Sequence, residues 1–195
     1  MKHFILGLAL SAVGFTACNN NTENKTTEGT DTAKQEIAQA PSTNNLNTPS
    51  STNKFGPIIT KYIQLKNALT ADDGKGAADA ARSLGNVLKS VDKSGLKPDE
   101  LKNYEDIESD MQEHAEHIAA NAANITHQRE HFVTLSKDVY DVAKAFGAGQ
   151  TLYHDFCPMY DNNKGAYWLS ETKDIKNPYL GTKMSTCGEV REELK

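Results

Sequence analysis

From Pro57 to Phe146 the apolar residues recur at spacings of three and four almost without interruption, a period that only helices satisfy. Ile58, Ile59, Tyr62, Ile63, Leu65 and Leu69 form a wide first stripe behind Pro57, and it ends near Asp72, Asp73 and Gly74. A second helix is predicted from about Lys75 to Val91, with Ala77, Ala80, Ala81, Leu84, Val87, Leu88 and Val91 facing inward. Its small residues permit close helix approach. After Gly95 and Pro98, a third stripe of Leu101, Tyr104, Met111, Ala115, Ile118 and Ala122 runs to a break around Asn121 to Asn124. Phe132, Leu135, Val139, Val142 and Phe146 mark a fourth helix that stops at Gly147 to Gly149. Four amphipathic helices joined by short connections predict an all-α domain, an antiparallel four-helix bundle over residues 54–195. Beyond Gly149 the helical period is lost, so a loop-rich C-terminal cap is expected over about 150–190.

The N-terminus reads as an address. Lys2 and His3 precede an apolar run from Phe4 through Phe15 with small residues admixed, which ends at Thr16, Ala17 and Cys18. Residues 1–17 have the form of an export signal and are too short for a permanent membrane span. Cys18 directly after small residues resembles the lipobox of bacterial lipoproteins, with Phe15 where leucine is usual; it is the expected lipidation site. From Asn19 to Asn53 the chain is mostly Asn, Thr, Ser, Gln, Glu and Pro, with Ile37 and Leu46 as its larger apolar residues. So little apolar surface does not offset the entropy of ordering. This stretch is expected to be a flexible tether that reaches roughly 30 to 35 Å. The protein is thus expected in the bacterial cell envelope, lipid-anchored on the periplasmic or surface side.

The cap concentrates sulfur. Cys157, Met159, Met184 and Cys187 all lie in it, and thiolates with thioethers select Cu(I) over harder ions. Pro158 between Cys157 and Met159 suggests an extended backbone on which residues two apart point the same way. Met184 and Cys187, followed by Gly188, suit a turn that gathers two side chains. The other reading is a structural bridge: an exported domain with two cysteines commonly joins them, and closing a loop of about 30 residues contributes roughly 3 to 4 kcal/mol. His127 and His131 on the fourth helix, and His114 and His117 on the third, are spaced to share a helical face. Two such pairs could converge on Zn(II) or Cu(II), but they fall beside the apolar stripes and solvated imidazoles are the expectation, His131 excepted.

Particular strings carry a resemblance. Lys66 to Leu69 with Asp72 and Asp73, Gln128 to Phe132 with Leu135 and Ser136, and then Cys157-Pro158-Met159 form its first part. Trp168 to Ser170, Asn177 to Tyr179, Gly181, and Met184 to Gly188 complete it. Together they resemble a family of exported Bacteroidetes proteins classed as the domain of unknown function numbered thirty-three forty-seven, over residues 55 to 190. Members are similar to regions attached to periplasmic adaptor subunits of heavy-metal efflux pumps, so the resemblance implies copper handling. His131 matches a motif position, whereas His154 and Asp155 stand where members often carry other polar residues.

The formal charge of −5 and the absence of a basic patch exclude nucleic acid as a partner. No nucleophile elbow, phosphate loop or close Cys-x-x-Cys pair supports an enzyme. The expected function is a soft-metal protein for Cu(I), with Cys157, Met159, Met184, Cys187 and His131 as candidate ligands. It would act as chaperone, buffer or efflux accessory, with the membrane and a metal-efflux or other envelope protein as partners. The alternative is a metal-free envelope interaction module held by a Cys157–Cys187 disulfide.

Overall fold

The computed structural model describes residues 53–195; the expected leader, Cys18 and nearly all of the tether lie outside them. Four long helices dominate: α1 (Gly56–Thr70), α2 (Gly74–Leu88), α3 (Pro98–Ala120) and α4 (Ile125–Phe146). Each start is chemically marked. Pro57 opens the first turn of α1, Asp73 accepts from the Gly76 amide at 2.8 Å, Glu100 accepts from the Lys97 amide at 3.0 Å, and Asn124 accepts from the His127 amide at 3.2 Å. Gly147, with φ of 81°, closes α4 in a conformation that a residue with a Cβ rarely adopts.

Consecutive helices pack on one another, and α1 also meets α4. Ile58, Tyr62, Leu65, Leu84, Met111, Phe132 and Leu135 have no exposed surface, so the stripes read from the sequence do face one core. Close approach of α2 to α3 is made at Gly85, where an added Cβ would stand 3.2 Å from Gln112. Two boundaries differ from expectation. Helix α2 ends at Leu88 rather than Val91, because the Ser90 amide turns back to the Val87 carbonyl at 2.9 Å. Ala122 lies past the end of α3 and is exposed, not part of its stripe.

The C-terminal region corrects the all-α expectation and the loop-rich cap. It holds an antiparallel sheet of β1 (Leu152–Cys157), β2 (Ala166–Ser170) and β3 (Glu189–Leu194) in the order β2-β1-β3, with a 3₁₀ helix (Gly181–Met184) between β2 and β3. The protein is therefore mostly helical with a small sheet. Strand alternation is obscured at both ends of this segment. In β1 the buried positions are Leu152, Asp155 and Cys157, so a charged residue stands where an apolar one would signal a strand. In β3 the sequence from Glu189 to Glu193 is almost entirely exposed charge, which suits an edge strand but carries no apolar pattern.

One buried acid gives the fold a pH dependence. Asp138 on α4 is buried, and its Oδ2 has no hydrogen-bond partner. Burial pushes its carboxyl up to about 6, with Lys137 acting against the shift and Asp110 and Asp141 adding to it. A folded-state value above the unfolded one gives stability that is complete below about pH 4 and is lost as the pH rises towards 6. Between those limits the wild type is expected to lose about 1 to 2 kcal/mol relative to Asp138→Asn. Denaturant unfolding of both proteins across this range measures it; parallel profiles would show that the Asp138 carboxyl is not perturbed.

Candidate metal centres

The sheet positions the sulfur chemistry. Cys157 is the last residue of β1, paired with Ala166 of β2, and is fully buried. Cys187 arrives from the far side of the 3₁₀ helix. Its amide donates to the Met184 carbonyl at 3.1 Å, which forms the expected turn, and its carbonyl accepts from Asn177 Nδ2 at 2.7 Å. Buried Asn177 also accepts from the Tyr179 and Leu180 amides at 2.8 and 2.9 Å, so one side chain braces the whole return loop. Both cysteines are free thiols, with their sulfurs 3.2 Å apart. Burial and the neighbouring Cys157 hold the Cys187 thiol above its ordinary range, so its uncharged form is favoured.

The methionines stand differently. The extended run expected through Pro158 stops at Cys157, and Met159 has helical dihedrals (φ −90°, ψ −14°), so same-face alternation does not carry its side chain to Cys157. Met159 and Met184 are 51% and 38% exposed, at opposite ends of the 157–187 segment. The thiols are brought together, and the thioethers face solvent beside them in sequence.

Clamps hold this region against the helices. Arg129 of α4 donates from Nε to the Pro178 carbonyl at 2.7 Å and from Nη2 to the Leu69 carbonyl at 2.9 Å, and it pairs with Asp72 Oδ1 at 2.5 Å. The other Asp72 oxygen accepts from the Thr182 amide at 2.9 Å and from its hydroxyl. The Thr182 hydroxyl and then the Arg129 guanidinium hold the Asp72 carboxyl down at about 2. Gly181 is required here, since with φ of 55° its added Cβ would lie 2.0 Å from Asp72 Oδ1. Nearby, fully buried Lys66 donates to Glu171 at 2.7 Å, and burial lowers its proton affinity. Asp155 is fully buried with neither oxygen hydrogen-bonded, and burial pushes it up to about 7 against the pull of Lys66.

A node of hydroxyls joins sheet to helices. Tyr62 of α1 contacts Ser136 Oγ of α4 at 2.8 Å and accepts from the Leu169 amide of β2 at 3.0 Å. Tyr179 donates to the Tyr167 carbonyl and lies 3.4 Å from the same Ser136 oxygen. All three hydroxyl-bearing residues are buried.

The histidines do not stay apart in solvent. His114 and His117 of α3 meet His127 and His131 of α4 beside the connecting turn. His131 is central: its Nδ1 lies 3.0 Å from His114 Nδ1, its Nε2 lies 3.2 Å from His127 Nε2, and its ring stacks on His117 at 4.3 Å between centroids. One nitrogen each from His117, His127 and His131 falls within 4.8 Å of the others. Burial, and for His131 the neighbouring imidazoles, lower the proton affinity of His114 and His131. Among the described residues, His131 thus groups with histidines and not with the two thiols. The i, i+3 and i, i+4 spacings were legible in the sequence. Their mutual approach depends on how α3 is rotated against α4, which spacing does not encode. A separate groove of about 430 Å³ between α4 and the β1–β2 hairpin, lined by Val133, Tyr140, His154, Ala166 and Tyr167, includes neither donor set.

The model of a family described as a protein of unknown function, DUF3347, matches residues 58–151, which supports the family resemblance over that stretch. The match covers the four helices and ends just before β1, so the sulfur-bearing segment lies beyond it. No curated protein and no solved structure matches the chain.

The hydroxyl node has a measurable consequence. Tyr62→Phe leaves the Leu169 amide and the Ser136 hydroxyl short of a buried partner, which is expected to cost about 1 to 3 kcal/mol. Equilibrium unfolding measures this, and a cost under about 0.3 kcal/mol would mean that the sheet is held by its apolar contacts alone.

Proposed function

We propose that the protein is an exported, lipid-anchored protein of the bacterial envelope that binds a soft metal ion, Cu(I), as a chaperone, buffer or efflux accessory. The observation that carries this reading is the contact between two free thiols 30 residues apart in sequence, one of them buried, with a methionine two or three residues from each. Two thiolates form a low-coordinate, soft donor pair that suits Cu(I); the thioethers of Met159 and Met184, exposed in this structure, would have to swing in to join it, and thioether is a poor ligand for Zn(II). A cation between the sulfurs would replace the thiol–thiol hydrogen bond and release their protons. The helices, taken as an antiparallel four-helix bundle, would be the rigid support, with a metal-efflux component or another envelope protein as the recipient. Kinship to heavy-metal efflux adaptors, implied by the sequence resemblance, points the same way.

Competition titration of reduced protein against a Cu(I) chelator tests the reading. One Cu(I) per chain is expected, with binding weakened by Met159→Ala or Met184→Ala and nearly abolished by Cys157→Ser. If Cu(I) is not retained and the sulfurs of protein from its native compartment are joined, the domain is a metal-free interaction module stapled by Cys157 and Cys187. The methionine variants would then be silent, and loss of either cysteine would lower stability by roughly 3 to 4 kcal/mol.

Location is tested independently. Among the described residues no helix is long and apolar enough to cross a membrane, and in this reading attachment runs through Cys18. Cys18→Ser is expected to move the protein from the membrane to the soluble fraction with an unchanged melting curve. Continued membrane association would remove the lipoprotein assignment.

A further inference from the structure

We infer that the α3–α4 hairpin carries a second metal site, in which His117, His127 and His131 bind a borderline divalent cation such as Zn(II), with a fourth position open to solvent. Ligand spacing is the first argument. Two nitrogens bound at 2.0 to 2.1 Å to a tetrahedral ion stand about 3.3 to 3.4 Å apart. The Nε2 atoms of His127 and His131 are already 3.2 Å apart. His117 completes the triangle within 4.8 Å, and its side chain is 48% exposed, so it is free to close the remaining distance.

The outer contacts form the second argument. His127 Nδ1 lies 3.1 Å from Glu130 Oε2, and His131 Nδ1 lies 3.0 Å from His114 Nδ1. Assigning the Nδ1 protons to these two contacts leaves both Nε2 lone pairs directed at one another. That arrangement is repulsive unless a cation or a proton lies between them. A carboxylate behind a histidine that presents its other nitrogen is the usual support of a zinc ligand. Glu113 Oε1, 4.0 Å from His117 Nε2, adds negative charge beside the third imidazole. Neutral imidazoles without thiolate or thioether suit Zn(II) or Cu(II) rather than Cu(I). The site therefore differs in ligand softness from the sulfur pair, and it does not depend on that pair binding metal.

Zn(II) and Co(II) titrations of the full-length protein test the site. One equivalent is expected to bind, and the Co(II) form is expected to show weak visible bands without the intense near-ultraviolet charge transfer of thiolate ligation. His127→Ala and His131→Ala should each lower Zn(II) affinity about 100-fold or more, and Glu130→Gln about 10-fold. His154→Ala, on β1, should leave it unchanged. Far-ultraviolet circular dichroism checks that the variants remain folded, and His127→Gln, which keeps a polar side chain of similar reach, should lose affinity as the alanine variant does. Absence of binding, wild-type affinity in His127→Gln and His131→Ala, or a thiolate band in the Co(II) spectrum would each overturn the site. Loss of Cu(I) binding in Cys157→Ser with Zn(II) binding intact would separate the two centres.

Discussion

The attachment of the small sheet to the helices depends on a buried group of hydroxyls. Tyr62, Ser136 and Tyr179 come from α1, α4 and the loop after β2, and the Leu169 amide of β2 donates into the same node. A hydroxyl is both donor and acceptor, so three of them can satisfy one another and a strand amide without water. Removed from solvent, each bond is strong and each unmet partner is costly, which fixes one position of the sheet on the helices. Tyr62 stacks on Phe132 at 5.2 Å and Tyr179 lies across the same ring, so the node is directional at its tips and apolar along its rings. The thiol contact depends on this placement, because Cys157 rides on β1 beside β2 and Cys187 returns through the loop that begins near Tyr179.

The sequence was legible where burial follows a period. Tyr62, Leu65, Leu84, Phe132 and Leu135 repeat at helical spacing and are all fully buried. It was illegible where tertiary pairing decides. In β1, Asp155 occupies a core-facing position, and its unpaired carboxyl is held there by the surrounding structure rather than by strand preference. In β3 the residues are charged because an edge strand needs side chains that discourage further pairing, so no hydrophobic signal exists to be found. The strings that carried the family resemblance are in large part structural. Lys66 and Asn67 bind Glu171, Gln128 binds the Gly74 and Ile118 carbonyls, Arg129 and Asp72 form the clamp on Thr182, and Asn177 braces the loop. Asn177 therefore serves the sulfur pair by holding the Cys187 carbonyl, a role invisible in a linear motif.

The two donor sets are kept distinct by where they sit. The thiols occupy the seam between sheet and loop, one of them wholly enclosed; the imidazoles lie along a helical hairpin, partly open to water. Enclosure raises the cost of a bare thiolate, so a soft ion bound there, as proposed, would have to bring its own charge to the sulfurs. Partial exposure of the imidazoles would leave an ion bound there, as inferred, with a ligand position open to water. Of the five residues grouped as candidate ligands from sequence, His131 belongs by geometry to the second set. Its neighbours on α3 were visible as a spacing but not as a meeting point.

Gly188 links the sulfur pair to the protein's single tryptophan. Its φ is 141°, and an added Cβ would stand 2.8 Å from Trp168 Cη2, so the backbone following Cys187 passes close beside the indole. Trp168 is fully buried and its ring NH has no acceptor. An indole so enclosed emits according to the few groups that touch it. Any reaction that displaces the Cys187 backbone must shift the Gly188 peptide dipole over that ring. The chain thus contains an intrinsic fluorescent gauge of its own thiol chemistry, readable without a label.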